Sequence, residues 1–196
     1  MARAEPGIER SHLGSNLEAR VGGRLYSNSS MLSEATINVA APVSLADYTR
    51  PALIVPRLRE ADTAGIISEL SHAFQREGCM PDVLPFYQAA LNQELLANSA
   101  LDCGLAFPHA RLSAIKHLQL AFGRTSEAIV WGAKSSWRVQ LIFLIAVPAT
   151  DAAGYLQLLA SLARLGQQPE VLAQLRATEN PEAILAVLGD IKIRQG

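Results

Sequence analysis

The stretch VQLIFLIAV, residues 139–147, constrains this chain more than any other. A strand sends successive side chains to opposite faces, and here both alternating sets are apolar. Such a run predicts a central strand covered on both sides, which only a layered structure provides. Continued to Ala149 as VQLIFLIAVPA, it is still too short to span a bilayer, which takes about 20 apolar residues in a helix. The chain has to surround this strand with other elements.

Those elements are legible on either side. ALIVPRL (52–58) has the β-branched character of a short strand, and Pro56 marks it as an edge or an early end. Asp62 or Thr63 caps a helix with Ile66, Ile67, Leu70, Ala73 and Phe74 on one stripe, and Gly78 stops it. A second helix is expected from about Pro81 to Leu96, with Pro85 tolerated near its first turn. Strands are expected at 104–108, at 117–124 and, weakly, at 128–131. After the central strand, Thr150 or Asp151 caps a helix through Leu165 with Leu156, Leu158, Leu159, Leu162 and Leu165 inward. PEVLAQLRA (169–177) and PEAILAVLG (181–189) each open with Pro-Glu, correct chemistry for a helix start. The order β, α, α, several β, then three α predicts an α/β fold: a mixed central sheet flanked by helices.

The 196 residues suffice for one sizeable core, and 49% are apolar against 18% charged. The formal net charge of −1 gives no electrostatic reason to expect nucleic acid or an anionic membrane as partner. Residues 1–42, rich in Ser, Gly, Asn and Ala, are expected to be a poorly ordered arm. Residues 43–190 form the folded domain and 191–196 a tail. The N-terminal stretch lacks the apolar core of a signal peptide, which points to a soluble, cytoplasmic protein. One hypothesis is that translation starts at Met31; an N-terminal peptide from residues 2–20 of the native protein would overturn it. Cys79 and Cys103 have no CxxC spacing and are expected as two reduced thiols.

The chemistry concentrates in GLAFPHAR, residues 104–111. Pro108 fixes its own φ and keeps Phe107 extended, so His109 is presented from a defined backbone position at a strand end. Neutral imidazole is a competent nucleophile near pH 7 and attacks phosphoryl groups directly. The transferred group then needs donors and positive charge, and Arg111 stands two residues on. The start of the helix near Asp151 offers backbone amides as well. The bland alternative is a surface or hydrogen-bonded structural histidine. His12 lies in the arm, His72 off its helix's apolar stripe and His117 at a strand start. A metal site built from His72, Cys79, Cys103 and His109 has no recognisable ligand spacing. A G-x-S-x-G elbow and a phosphate-binding G-x-x-x-x-G-K-[ST] loop are both absent from the sequence.

GLAFPHAR, a following strand, a two-sided strand ending LIAVP and a leucine-laddered helix together resemble a known family. It is the IIA domain of the phosphoenolpyruvate-dependent sugar phosphotransferase system, of the fructose/mannitol type that includes nitrogen-related regulators. The resemblance covers roughly residues 43–190 and implies an α/β sandwich with a mixed sheet. It implies that His109, in the G-x-A-x-P-H motif, accepts a phosphoryl group from an HPr-like phosphocarrier and passes it to a IIB domain or a regulatory target. No cofactor and no metal are implied.

The supporting positions depart from the family. A second histidine, usual in the first turn of the helix after the LIAVP strand, falls at Tyr155. The usual upstream Arg-Glu pair falls at Gln93 and Glu94. Tyr155, Gln93 and Arg111 are therefore the expected lining of the site. Tyrosine and glutamine donate hydrogen bonds but bring no positive charge. A charged hydrogen bond is worth roughly 1.5–3 kcal/mol, so each loss slows transfer by about ten- to a hundredfold if nothing replaces it. Two functions are expected on this basis: a IIA-like phosphocarrier, in transport or regulation, and a degenerate IIA fold that binds a partner without carrying phosphate.

Overall fold

The central strand runs from Arg138 to Pro148 and is the fifth in chain order, β5. In this computed structural model, which describes residues 43–132 and 136–193, both of its faces are buried. Leu141, Phe143, Ile145 and Val147 enter one apolar layer, and Ile142, Leu144 and Ala146 the other. The remaining elements are β1 (Ile54–Val55), α1 (Thr63–Arg76), α2 (Val83–Leu96), β2 (Leu105–Ala106), β3 (His109–Leu112), β4 (Gln119–Val130), α3 (Ala152–Leu165), α4 (Pro169–Ala177) and α5 (Pro181–Asp190).

The sheet is mixed, as expected. Its order is β1-β4-β5-β2, with β1 parallel to β4 and β4 antiparallel to β5. β2 and β3 follow one another along the far edge of β5, both parallel to it. Helices α1 and α2 cover one face, and α3, α4 and α5 the other. Each fully buried Leu or Phe in these layers contributes about 1.5–3 kcal/mol.

Local chemistry sets the helix limits. Asp62 accepts from the Gly65 N–H at 2.9 Å and starts α1. At its end Gly78 adopts φ 67°, the Cys79 N–H reaches the Phe74 carbonyl at 2.9 Å and the Gly78 N–H that of Gln75 at 3.0 Å. That pair of bonds closes the last turn, and glycine is the residue that takes this backbone without strain.

Several expectations need correction. The 52–58 strand shrinks to Ile54–Val55 because Pro51–Leu53 forms a tight helical turn first. α2 starts at Val83, capped by Asp82, rather than at Pro81. The 117–124 and 128–131 strands are one strand, β4, whose register shifts between Arg124 and Ile129. His117 lies before it and is exposed. β4 is buried on both sides: Ala121 is as buried as Leu120 and Phe122, on the opposite face.

Leu156 is 61% exposed, not inward. It stands two residues before Leu158, about 200° round a helix from the buried stripe of Leu158, Leu162 and Leu165. Past α5, Ile191 and Ile193 are buried in the α3–α5 layer, and the Ile193 N–H donates to the Val43 carbonyl at 2.7 Å. The expected arm, with Met31 and His12, lies outside the described residues.

Candidate functional site

The 104–108 strand expectation also needs revision, and the change locates the site. β2 ends at Ala106, Phe107 and Pro108 intervene, and His109 opens β3 instead of trailing a strand. Pro108 has no N–H, but its carbonyl accepts from the Ile145 N–H at 2.9 Å, so the chain stays on the edge of β5. Gly104, at φ 89°, turns the chain into this edge, where an added Cβ would sit 2.8 Å from the Arg176 guanidinium. His109 pairs with Ile145 and Arg111 with Val147. Strand alternation sends His109 and Arg111 to the α3 face, while Ala110 and Leu112 pack on the α1–α2 layer.

The His109 ring is half-buried, and its Nδ1 lies 3.2 Å from the Phe107 carbonyl oxygen. A carbonyl only accepts, so this bond requires the proton on Nδ1 and leaves the lone pair on Nε2. The Tyr155 ring lies against the imidazole, centroids 5.2 Å apart and planes inclined at 36°. Burial pushes the Tyr155 phenol above its ordinary pKa, with the Arg111 guanidinium pulling the other way. The phenol is therefore a neutral O–H donor near pH 7.

One cleft of about 430 Å³ is lined by Ala89, Gln93, His109, Ala110, Arg111, Val147 and Tyr155. It brings together all four residues named from the sequence. Gln93 comes from α2, His109 and Arg111 from β3, and Tyr155 from the first turn of α3. The start of α3 is less open than expected, since the Asp151 carboxylate takes the Gly154 N–H at 2.9 Å. A larger hollow of about 850 Å³ lies between α1 and β1, lined in part by Arg57, Arg59, His72 and Arg76. The smaller cleft has the better claim to phosphoryl chemistry, because its histidine is half-buried at the start of a strand beside Arg111, Gln93 and Tyr155, whereas His72 in the larger hollow is exposed on a helix and bonded to its own turn through the Ser68 carbonyl.

Two polar residues lie behind the cleft: Glu94, which the resemblance placed in the upstream pair without a role, and Ser99, which sequence reasoning missed. Glu94 is only 5% exposed, on the buried stripe that α2 makes with Phe86 and Ala90. Its carboxylate accepts from the Ser99 N–H, the Ser99 hydroxyl and the Trp131 indole N–H, each at 2.7 Å. The Ser99 Oγ in turn accepts from the Phe107 N–H at 3.0 Å. The upstream pair was the sequence signal for Glu94, and its burial among Phe86 and Ala90 shows what the glutamate does; nothing local marks Ser99. Among the described residues, no three His, Cys, Asp or Glu side chains gather as a metal would require. Among those residues, too, no helix is long and apolar enough to cross a membrane.

Comparison with known proteins agrees with this architecture. Residues 48–190 match the family described as phosphoenolpyruvate-dependent sugar phosphotransferase system, EIIA 2. The chain is 28% identical over 144 residues to the nitrogen regulatory protein of Bradyrhizobium diazoefficiens, covering 74% of this chain and 94% of that one. The crystal structure of nitrogen regulatory protein IIA-Ntr from Neisseria meningitidis superposes with a TM-score of 0.64 at 24% identity, covering 74% of this chain and 98% of the other. A complex of enzyme IIAMTL with phosphorylated enzyme IIBMTL from Escherichia coli matches with a TM-score of 0.60 at 19% identity, over 70% of this chain and 94% of that one. With a mixed sheet between two helical layers and a family match across most of its length, this chain belongs to the EIIA 2 family of the sugar phosphotransferase system.

Proposed function

We propose that the protein is a cytoplasmic phosphocarrier that takes a phosphoryl group on His109 Nε2 from an HPr-like phosphocarrier. It then passes that group to a IIB domain or holds it as a regulatory signal. In the forward step the Nε2 lone pair attacks phosphorus, the N–P bond on the donor histidine breaks, and the donor ring keeps that electron pair. The proton on His109 Nδ1 stays in place, the ring carries the positive charge it gains, and the Phe107 carbonyl oxygen stabilises that charge through its hydrogen bond. Tyr155 and Gln93 donate hydrogen bonds to the phosphoryl oxygens, and Arg111 supplies the cation. The reaction needs no cofactor.

The observation that carries this reading is the meeting of His109, Arg111, Gln93 and Tyr155 around one cleft. The kinship with a nitrogen regulatory protein over nearly its whole length favours a regulatory use of the phosphoryl group. The solved IIAMTL–IIBMTL complex supports a IIB-type acceptor. A second reading, a IIA fold that binds a partner without carrying phosphate, is favoured by one observation. Gln93 and Tyr155 are both uncharged where the family usually places an arginine and a histidine.

The test is phosphoryl transfer from phosphoenolpyruvate through Enzyme I and HPr of the same organism. Acid-labile, base-stable label that vanishes in His109→Ala supports the carrier. No label with an active cognate HPr supports the binding protein.

A further inference from the structure

Among the described residues no cation pairs with the buried Glu94 carboxylate, which lies just behind the nucleophile's strand and calls for a reason beyond packing. Three donors converge on Glu94. This arrangement suits an acceptor-only group and orients the Ser99 hydroxyl completely: its hydrogen points at Glu94, which leaves its lone pairs to face the Phe107 N–H. Phe107 is the residue whose carbonyl holds His109 Nδ1. Pro108 follows directly, so the segment between β2 and β3 has few other ways to be held. Its backbone is pinned on one side by Ile145, through the Pro108 carbonyl, and on the other by Ser99.

We infer that Glu94, acting through Ser99, is a positioning residue for His109. The carboxylate orients the Ser99 hydroxyl, the hydroxyl fixes the Phe107 backbone, and the Phe107 carbonyl selects the His109 tautomer that leaves Nε2 free. The inference rests on the phosphocarrier reading for its purpose, but not for its observable, which is the tautomer itself. Glu94 touches no reacting atom. Its effect is on which nitrogen of the imidazole is presented to a phosphoryl donor.

Long-range proton–nitrogen NMR of the unphosphorylated protein, above the pH at which the ring is cationic, reads the two ring nitrogens directly. In the unaltered chain, Nδ1 is expected in the protonated form and Nε2 in the unprotonated form. Ser99→Ala leaves Glu94 bound to Trp131 but cuts the link to Phe107. The ratio of the two tautomers should fall roughly fivefold, the scale of one hydrogen bond. Ser99→Thr, which keeps the hydroxyl, should restore it.

Asn98→Ala is the control. Asn98 holds the same loop, donating to the Trp131 carbonyl at 3.0 Å and accepting from the Ala100 N–H at 2.8 Å, with no link to Phe107. It should leave the tautomer ratio unmoved. An unmoved ratio in Ser99→Ala, or an equal shift in Asn98→Ala, overturns the inference in favour of a purely structural loop contact. Failure of the carrier reading shows separately, as no label on the unaltered chain, and leaves the tautomer result standing.

Discussion

The Tyr155 ring rests 5.2 Å from the His109 imidazole, centroid to centroid, with the ring planes inclined at 36°. A phenol, unlike an imidazole, does not titrate near neutrality. It puts a hydrogen-bond donor beside His109 and no cation.

Tyr155 should ionise above the ordinary tyrosine value of about 10, because burial disfavours the phenolate. Arg111 opposes that shift, so Arg111→Gln should move the titration further up. A raised pKa means that the fold favours the protonated phenol. This contribution to stability is complete below about pH 10 and is lost as the pH climbs through the folded value. Ultraviolet titration of the phenolate band checks it, with Tyr155→Phe as the blank that isolates Tyr155 from Tyr48, whose phenol is also pushed up by burial. A Tyr155 pKa at or below 10 would contradict the buried placement.

Gln93→Arg should accelerate phosphorylation by about ten- to a hundredfold, the kinetic equivalent of one charged hydrogen bond to the phosphoryl oxygens. Initial rates of label incorporation measure it. A rate unchanged within twofold would mean that position 93 does not face the transferring group, although it lines the cleft.

His109→Ala should lose all label while keeping the fold. The side chain is half-buried and its hydrogen bond in this structure is to the Phe107 carbonyl, so about 0.5–1.5 kcal/mol of stability is at stake. Circular dichroism and a denaturant midpoint close to the unaltered chain are expected. An unfolded variant would assign His109 a structural role instead.

Glu94→Ala should be far costlier. It orphans three donors in a buried place, at roughly 1–3 kcal/mol each before the loop relaxes, so a loss of about 3 kcal/mol or more is expected. Glu179→Ala provides the contrast: its side chain is 73% exposed in its pair with Arg124, and its loss should cost well under 1 kcal/mol. Urea midpoints of the two variants, measured side by side, decide whether burial or charge pairing governs the difference.

Much of the fold was readable because its signals are local. The apolar stripe of α1, the Asp62 cap and the Gly78 stop sit within a few residues of what they control. The β2–β3 edge was harder to read. GLAFPHAR looks like one strand with a histidine at its exit, and only pairing with β5 shows that Pro108 interrupts the edge and His109 starts again on it. Leu156 was misread because leucines at 156, 158, 159, 162 and 165 fill more of a helix circumference than one buried face can take. The choice among them depends on where β5 lies. Glu94 stood in the upstream pair but was given no role, because a glutamate on a helix is normally solvated.

The residues alone specify the class of the fold and single out His109 as the candidate nucleophile. A two-sided apolar strand demands two covering layers, and proline before histidine constrains the backbone wherever it stands. Only the tertiary structure decided the company His109 keeps. Gln93 on α2 and Tyr155 on α3 belong to helices on opposite faces of the sheet, and no sequence period connects them. They meet because β3 lies on the sheet edge, within reach of residues from both helical layers. The register of β3 on β5 sets which side chain points into that gap, and register is a property of pairing and burial rather than of any local stretch.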